Sequence, residues 1–252
     1  GYPWRYYKIF DSLDQEQFFD QYYDFWQRLV PDNEKSELFQ PEVFNEIDIS
    51  EPRRVFENVF KFNKGLKYDR PEDHINNSLF FEIKTFLPGL FLVGDKLAMA
   101  SGLEERFPFM DNDLVNFAMK VPVKHKLGNL EKEISQIDEN LERKKTLYRE
   151  YDDGKNVLRS AMKDFIPDEI INRKKQGFSA PDESWYRGEN ADYIKELLMS
   201  SDTISTKYIQ KDYIENIVLE HLTKGINHRL LIWSFMNFEW WCRIFLGNEK
   251  FS

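Results

Sequence analysis

The chain has 252 residues and a formal net charge of −9, long enough to bury roughly 70–75% of its unfolded surface in one large domain or two small ones. Its lysines and arginines are scattered among the acids, so it shows neither a basic stripe for nucleic acid nor a polybasic helix for anionic lipid. A single cysteine, Cys242, excludes an internal disulfide framework and a multi-cysteine metal site.

The first helix is predicted over 13–29. Ser12 and Gln15 form a capping box, Phe18, Tyr22, Phe25, Trp26 and Leu29 share one face, and Pro31 ends the run. A second helical stretch begins near Pro52, carries Val55, Phe56, Val59 and Phe60, and stops around Gly65. Residues 75–99 read as a helix broken at Pro88-Gly89, because an interior proline removes a hydrogen bond and clashes with the preceding turn. A second apolar helical run follows the break, although 90–93 would also suit a strand by composition. Asp111 then caps a short helix over 112–120, closed by Pro122.

The interval 128–153 is charged, with Leu130, Ile134, Ile137 and Leu141 at heptad-like spacing, and is expected to project as one or two solvated amphipathic helices. Residues 156–165 are predicted helical, Pro167 opens another short helix, and 173–181 form a loop. Helices follow over 193–199, 209–222 and 230–245. Asn237, Glu239 and Arg243 interrupt the last of these, which suits a buried helix better than a bilayer. There is no internal repeat and no βαβ unit, so the predicted fold class is mainly α, as one domain over 1–252. Aromatic residues reach 16%, which points either to a thick Phe-rich core or to a face that meets another domain. Cys242 reads as a packed thiol, compatible with a reducing compartment. The chain opens without Met and without a signal peptide, which reads as a fragment or a processed product.

Chemistry is sparse by spacing alone. Neither glycine-rich phosphate loop spacing is present, no His-x-x-x-His or Cys-x-x-Cys pair supports a metal site, and His74, His125, His221 and His228 are far apart. Two charged segments stand out. Glu104 and Arg106 precede an apolar turn and Asp111, and as residues alone they read as an ion pair beside an N-cap. In Arg173-Lys-Lys-Gln-Gly-Phe-Ser three cations precede a glycine. By default that is a solvated surface; functionally, a lysine there can reach an anionic phosphate.

Four stretches, in order, resemble the synthetase domain of glutamine-hydrolysing asparagine synthetases. They are Gly1-Tyr-Pro-Trp-Arg-Tyr, Lys84-Thr-Phe-Leu-Pro-Gly-Leu through Asp95-Lys-Leu-Ala-Met-Ala, Leu103-Glu-Glu-Arg-Phe-Pro-Phe-Met-Asp, and Arg173-Lys-Lys-Gln-Gly-Phe-Ser-Ala-Pro with Trp185. The ending Ile232-Trp-Ser-Phe-Met-Asn-Phe-Glu-Trp-Trp is similar to that family's last helix. The resemblance spans nearly the whole chain apart from 128–153.

The resemblance implies the helical C-terminal subdomain of an α/β ATP-pyrophosphatase, of the adenine nucleotide α-hydrolase kind. The family's ATP-binding sheet with its pyrophosphate loop, and its N-terminal glutaminase domain, would be partners supplied by the same protein. It implies that the intact enzyme adenylates the aspartate side-chain carboxylate with ATP and Mg2+, and that ammonia from glutamine displaces AMP. Lys175 matches the phosphate-facing lysine and Tyr2 a tyrosine lining the same site. Asp95, Lys96, Glu104 and Arg106 match a charged cluster that binds or positions substrate. No metal ligand is assigned to this chain, and this chain alone is expected to be inactive. A cytoplasmic enzyme without nucleic-acid or membrane partners is expected, and a homodimer is allowed. This chain departs from the family where relatives carry Glu, Ser and His: it has Gly94, Ala98 and Ser101. Those departures leave open another AMP-forming amidotransferase, such as one acting on a sugar. A non-catalytic helical interaction module is the alternative from a different class.

Overall fold

Spacing of apolar residues resolves into helices almost throughout. The computed structural model describes residues 14–27, 29–126, 155–173 and 182–247, with the side chains of 182 and 183 excepted. In chain order the helices are α1 (Gln15–Trp26), α2 (Lys35–Leu38), α3 (Pro41–Glu46), α4 (Glu51–Lys61), α5 (Pro71–Lys84), α6 (Phe86–Ala100) and α7 (Asn112–Lys120). They continue as α8 (Val123–Lys126), α9 (Asn156–Ala161), α10 (Asp168–Ile171), α11 (Asp182–Arg187), α12 (Ala191–Met199), α13 (Lys211–Thr223) and α14 (Arg229–Phe245). Among the described residues no strand forms, and Phe39 and Ile209 make an isolated antiparallel bridge. The chain divides into two units, one of residues 1–23 and 53–176, the other of residues 24–52 and 177–252.

The first unit is centred on aromatic rings. Phe18 of α1 is fully buried, stacks on Tyr22 at 5.3 Å and on His74 at 4.9 Å, and meets Phe60 edge-on. Phe56 and Phe60 of α4 close on Phe81 of α5 at 4.9 and 5.5 Å. Each such ring stabilises by about 1.5–3 kcal/mol through area alone, with a further increment from the offset and edge-on geometry. The aromatic excess is therefore explained in part by a core. The start of α5 is fixed locally: Pro71 occupies the first turn, and Asp73 accepts from the Arg70 backbone N–H at 3.2 Å and from its guanidinium.

The second unit has an aliphatic core. Ile194, Leu197 and Leu198 of α12, Ile214 and Val218 of α13, and Ile232 and Phe235 of α14 are buried together. The segments around the bridge are tied by backbone bonds from Gln40 to Tyr208 and from Gln210 to Leu38, at 2.9 and 2.8 Å. Glu239 of α14 is fully buried and accepts from the backbone N–H groups of Ile204 and Ser205, at 3.0 and 2.7 Å, and from Arg243 Nε at 2.7 Å. Buried carboxylates are tolerated when charge and hydrogen bonds are satisfied in this way.

Several predicted boundaries move. The helix expected to break at Pro88-Gly89 breaks at Thr85 instead, and α6 runs unbroken from Phe86. Pro88 thus falls in the first turn, where its missing N–H would have had no intrahelical partner. The alternative of a strand over 90–93 is removed by the same helix. The Asp14 side chain accepts from Gln17 N at 2.9 Å at the start of α1, and α1 ends at Trp26 rather than at Leu29. The helix expected over 156–165 stops at Ala161. The expectations for Ser12, for 128–153 and for the loop from Lys174 onward lie outside the described residues.

Candidate functional site

The charged residues singled out in the sequence sit at the C-terminal end of α6 and in the segment that follows it. The helix ends in a tightly specified turn. Gly102 has φ +70°, its N–H donates to Met99 O at 3.0 Å, and Leu103 N–H donates to Ala98 O at 2.9 Å. This is a Schellman closure, and the left-handed residue in it favours glycine. It sends residues 103–107 back across α6.

Alternation then sorts that segment into two sets. Phe107 meets Phe91 of α6 with ring centroids 4.2 Å apart, and the Glu105 carboxylate lies against Gly94, so close that a Cβ there would stand 2.4 Å from Oε2. Glu104 and Arg106, the intervening residues, pair with each other at 2.6 Å and are mostly exposed. Side chains two apart share a side in extended backbone, which accounts for both sets. Asp95 and Lys96 are consecutive on α6, so they diverge by about 100° around the helix. Asp95 is half-buried and Lys96 exposed.

Of the four described residues, one pair is in contact. Glu104 and Arg106 are brought together, while Asp95 and Lys96 point apart. Glu105 is the residue that sequence reasoning missed; the signal was the alternation of Glu104-Glu-Arg-Phe107, which places 105 with 107. Tyr2 and Lys175 lie outside the described residues.

Among the described residues no three of His, Cys, Asp and Glu are placed to hold a metal ion. The first unit also contains a cavity of about 310 Å³ among Phe109, Leu158, Met162, Ile166 and Ile170, with Lys155 and Arg159 in its lining. Its walls carry no carboxylate or nucleophile, so it offers binding surface without chemistry. No described helix is long and apolar enough to cross a membrane.

Comparison with known proteins bears on all of these residues at once. The family model for asparagine synthase matches residues 1–243. Asparagine synthetase [glutamine-hydrolyzing] 1 of Bacillus subtilis (strain 168) is 28% identical over 66% of this chain and 23% of its own length. A putative asparagine synthetase [glutamine-hydrolyzing] of Mycobacterium tuberculosis (strain ATCC 25618 / H37Rv) is 27% identical over 70% of this chain and 24% of its own length. Amidase chyE of Penicillium rubens is 28% identical over 60% of this chain and 20% of its own length. The chain thus spans about a fifth to a quarter of the length of these three relatives. No solved structure matches it. The chain belongs to the asparagine synthase family.

Proposed function

We propose that this chain is the helical C-terminal part of a synthetase that adenylates the side-chain carboxylate of aspartate and passes ammonia from glutamine to it, releasing AMP and pyrophosphate. The observation that carries the reading is the family match from residue 1 to 243, which includes both the 95–106 segment and the basic run at 173–175. In this reading Lys175 and Tyr2 face the nucleotide. Asp95, Lys96, Glu104 and Arg106 border the substrate.

ATP is a substrate here, delivered with magnesium. The described residues do not by themselves fit a triphosphate. Arg106 is already paired with Glu104, and among the described residues no three carboxylates are placed to hold a metal ion. Nucleotide binding is therefore assigned to the ATP-binding sheet of the longer protein together with Lys175, and glutamine hydrolysis to its glutaminase domain. A cytoplasmic location and inactivity of the isolated chain belong to the same reading.

A second reading keeps the adenylation and changes the acceptor acid. It is favoured by Gly94, where this chain lacks the family carboxylate and lays the Glu105 carboxylate across the helix instead. A sugar acid or another carboxylate substrate would fit that change, and one relative bears the name amidase. Product analysis separates the two readings. Full-length protein with ATP, glutamine and aspartate should give asparagine and AMP in equal amounts. AMP formation with another acid and none with aspartate would replace the first reading by the second. No AMP with any acid would sink both.

A further inference from the structure

The cavity of about 310 Å³ in the first unit is built from two limbs of one short stretch of chain. Lys155, Leu158, Arg159 and Met162 stand at i, i+3, i+4 and i+7, so α9 and the residues that cap it present them on one face. Pro167 then opens α10, and Ile166, Ile170 and Ile171 form the opposite limb. Phe109, from the turn at Pro108–Met110, adds a third wall. Arg159 fastens the limbs together, because its guanidinium donates to the carbonyl of Ile171 and, at 3.4 Å, to that of Arg173. Their separation is therefore set by hydrogen bonds as well as by packing.

The lining separates the ligands it can take. Every wall residue other than Lys155 and Arg159 is apolar, and no acid stands among them. A nucleotide is unsuited, because its hydroxyls and base would face methyl groups and a ring that offer no hydrogen bonds. The volume is about twice the roughly 150 Å³ that takes up benzene, and stands at the lower end of the range for small-molecule pockets. It suits one aromatic ring or a branched chain with a few further carbons, and is too small for a long acyl chain or a peptide helix.

The cation at its edge gives the ligand a sign. Lys155 is exposed, and among the described residues it is the one non-glycine with a positive φ, +64°. That left-handed conformation is unfavourable for any residue with a Cβ, and such residues concentrate at turns and ligand sites. Arg159 follows one helical turn later on the same face. Two cations and no acid around an apolar hollow favour a carboxylate over an amine or a neutral tail.

We infer that this cavity is a binding site for a small apolar carboxylic acid, held as its anion. The ring or branched chain lies among Phe109, Leu158, Met162, Ile166 and Ile170, with the carboxylate at Lys155. Phe109 is three residues past Arg106, so an occupant touches the same short segment that carries the Glu104–Arg106 pair. The inference goes beyond the synthetase reading and takes nothing from it.

Ligand-observed NMR titration of the full-length protein with 3-phenylpropionate tests this. Beside it stand 3-phenylpropan-1-ol, the same body without charge, and acetate, the charge without the body. 3-Phenylpropionate should bind with a Kd of about 1 mM or tighter. The alcohol and acetate should each bind about tenfold or more weakly, the scale of one charge-assisted hydrogen bond or one buried ring. Lys155→Gln should weaken 3-phenylpropionate about tenfold and leave the alcohol unchanged. Ile170→Trp, at a position 43% exposed and so open to a larger side chain, should weaken both by filling the cavity. The exposed Lys155 tolerates substitution without loss of fold, so the charge test stands by itself. No binding of 3-phenylpropionate at about 10 mM, where a 1 mM site is nearly saturated, would overturn the inference. Binding that neither variant alters would overturn it too, by putting the ligand elsewhere. Equal affinity for acid and alcohol would overturn the choice of an anion and with it the proposal. None of these measurements involves turnover, so failure here leaves the synthetase reading untouched, and absence of amide formation leaves this site standing.

Discussion

The ring of His221 accepts a hydrogen bond from the backbone N–H of His228, with Nδ1 and N 3.1 Å apart, across the turn that joins α13 to α14. His221 is fully buried, and its own carbonyl accepts from Arg187 Nε at 2.8 Å, while Arg187 also reaches Ile226 O. Through its ring and its carbonyl, this one residue ties α11, α13 and the following turn, and the acceptor role of the ring makes Nδ1 the unprotonated nitrogen. His228 in turn meets Glu220 at 2.9 Å, which holds that carboxyl below its usual range.

His221→Ala should therefore destabilise the second unit by about 2–4 kcal/mol, from a cavity and an orphaned His228 N–H together. His221→Asn, which restores an acceptor near the same place, should recover part of that loss. Urea unfolding followed by tryptophan fluorescence reads both. Equal losses for the two variants would mean that volume alone matters.

Glu239 gives the chain an acid-sensitive joint. Burial alone would push this carboxyl up, but the N–H groups of Ser205 and Ile204 and the Arg243 guanidinium outweigh it and hold it below the usual carboxylate range. A depressed carboxyl contributes stability that is present above its unfolded pKa and lost as pH falls through its folded value. Glu239→Gln should cost about 1.5–3 kcal/mol at neutral pH, the scale of hydrogen bonds to a charged group. Its Tm should also fall less steeply than that of the parent as pH is lowered below the ordinary glutamate range. Parallel Tm curves for the two proteins would show that other carboxylates govern acid unfolding.

Two glycines of the candidate site should respond to alanine with opposite signs. Gly102 has open space around it but φ +70°, so Gly102→Ala is opposed by backbone conformation and should cost about 1 kcal/mol. Gly94 lies inside α6 with no such constraint, and a methyl group there meets only the flexible end of Glu105. Gly94→Ala should be neutral or stabilise by up to about 1 kcal/mol through helix propensity, while displacing Glu105. Thermal unfolding of the two variants measures the contrast.

Much of this was legible in the sequence, and what was not shares a cause. The cap at Asp111 is local: its side chain accepts from Asp113 N and Leu114 N, and α7 spans Asn112–Lys120 as the spacing requires. The α6 start was misplaced because proline is costly only where an intrahelical bond exists to lose. The anchoring of Glu239 joins residues 34 and 35 positions apart, and no local pattern reports it. At the site, Glu104 and Arg106 were found because their types mark an ion pair. Glu105 was missed because its meaning depends on the fold-back set by Gly102. Apolar periodicity in α6 was also visible, but periodicity says which residues share a side, not what covers them.

The remaining prediction concerns Lys175, which the synthetase reading places against the phosphates. It follows two other cations and precedes Gln176-Gly177, and glycine permits close approach of backbone to a ligand. Pyrophosphate gains negative charge as it departs, so a positioned ammonium binds the transition state better than the ground state. Lys175→Ala in the full-length protein should slow aspartate-dependent ATP–pyrophosphate exchange by about 10²–10³-fold, the scale of one preorganised electrostatic donor. Glutamine hydrolysis, assigned to another domain, should persist and so control for folding. Lys174→Ala should cost far less. A near-normal exchange rate for Lys175→Ala beside a crippled Lys174→Ala would move the role to the neighbouring lysine. Two silent variants would reduce the basic run to solvated surface.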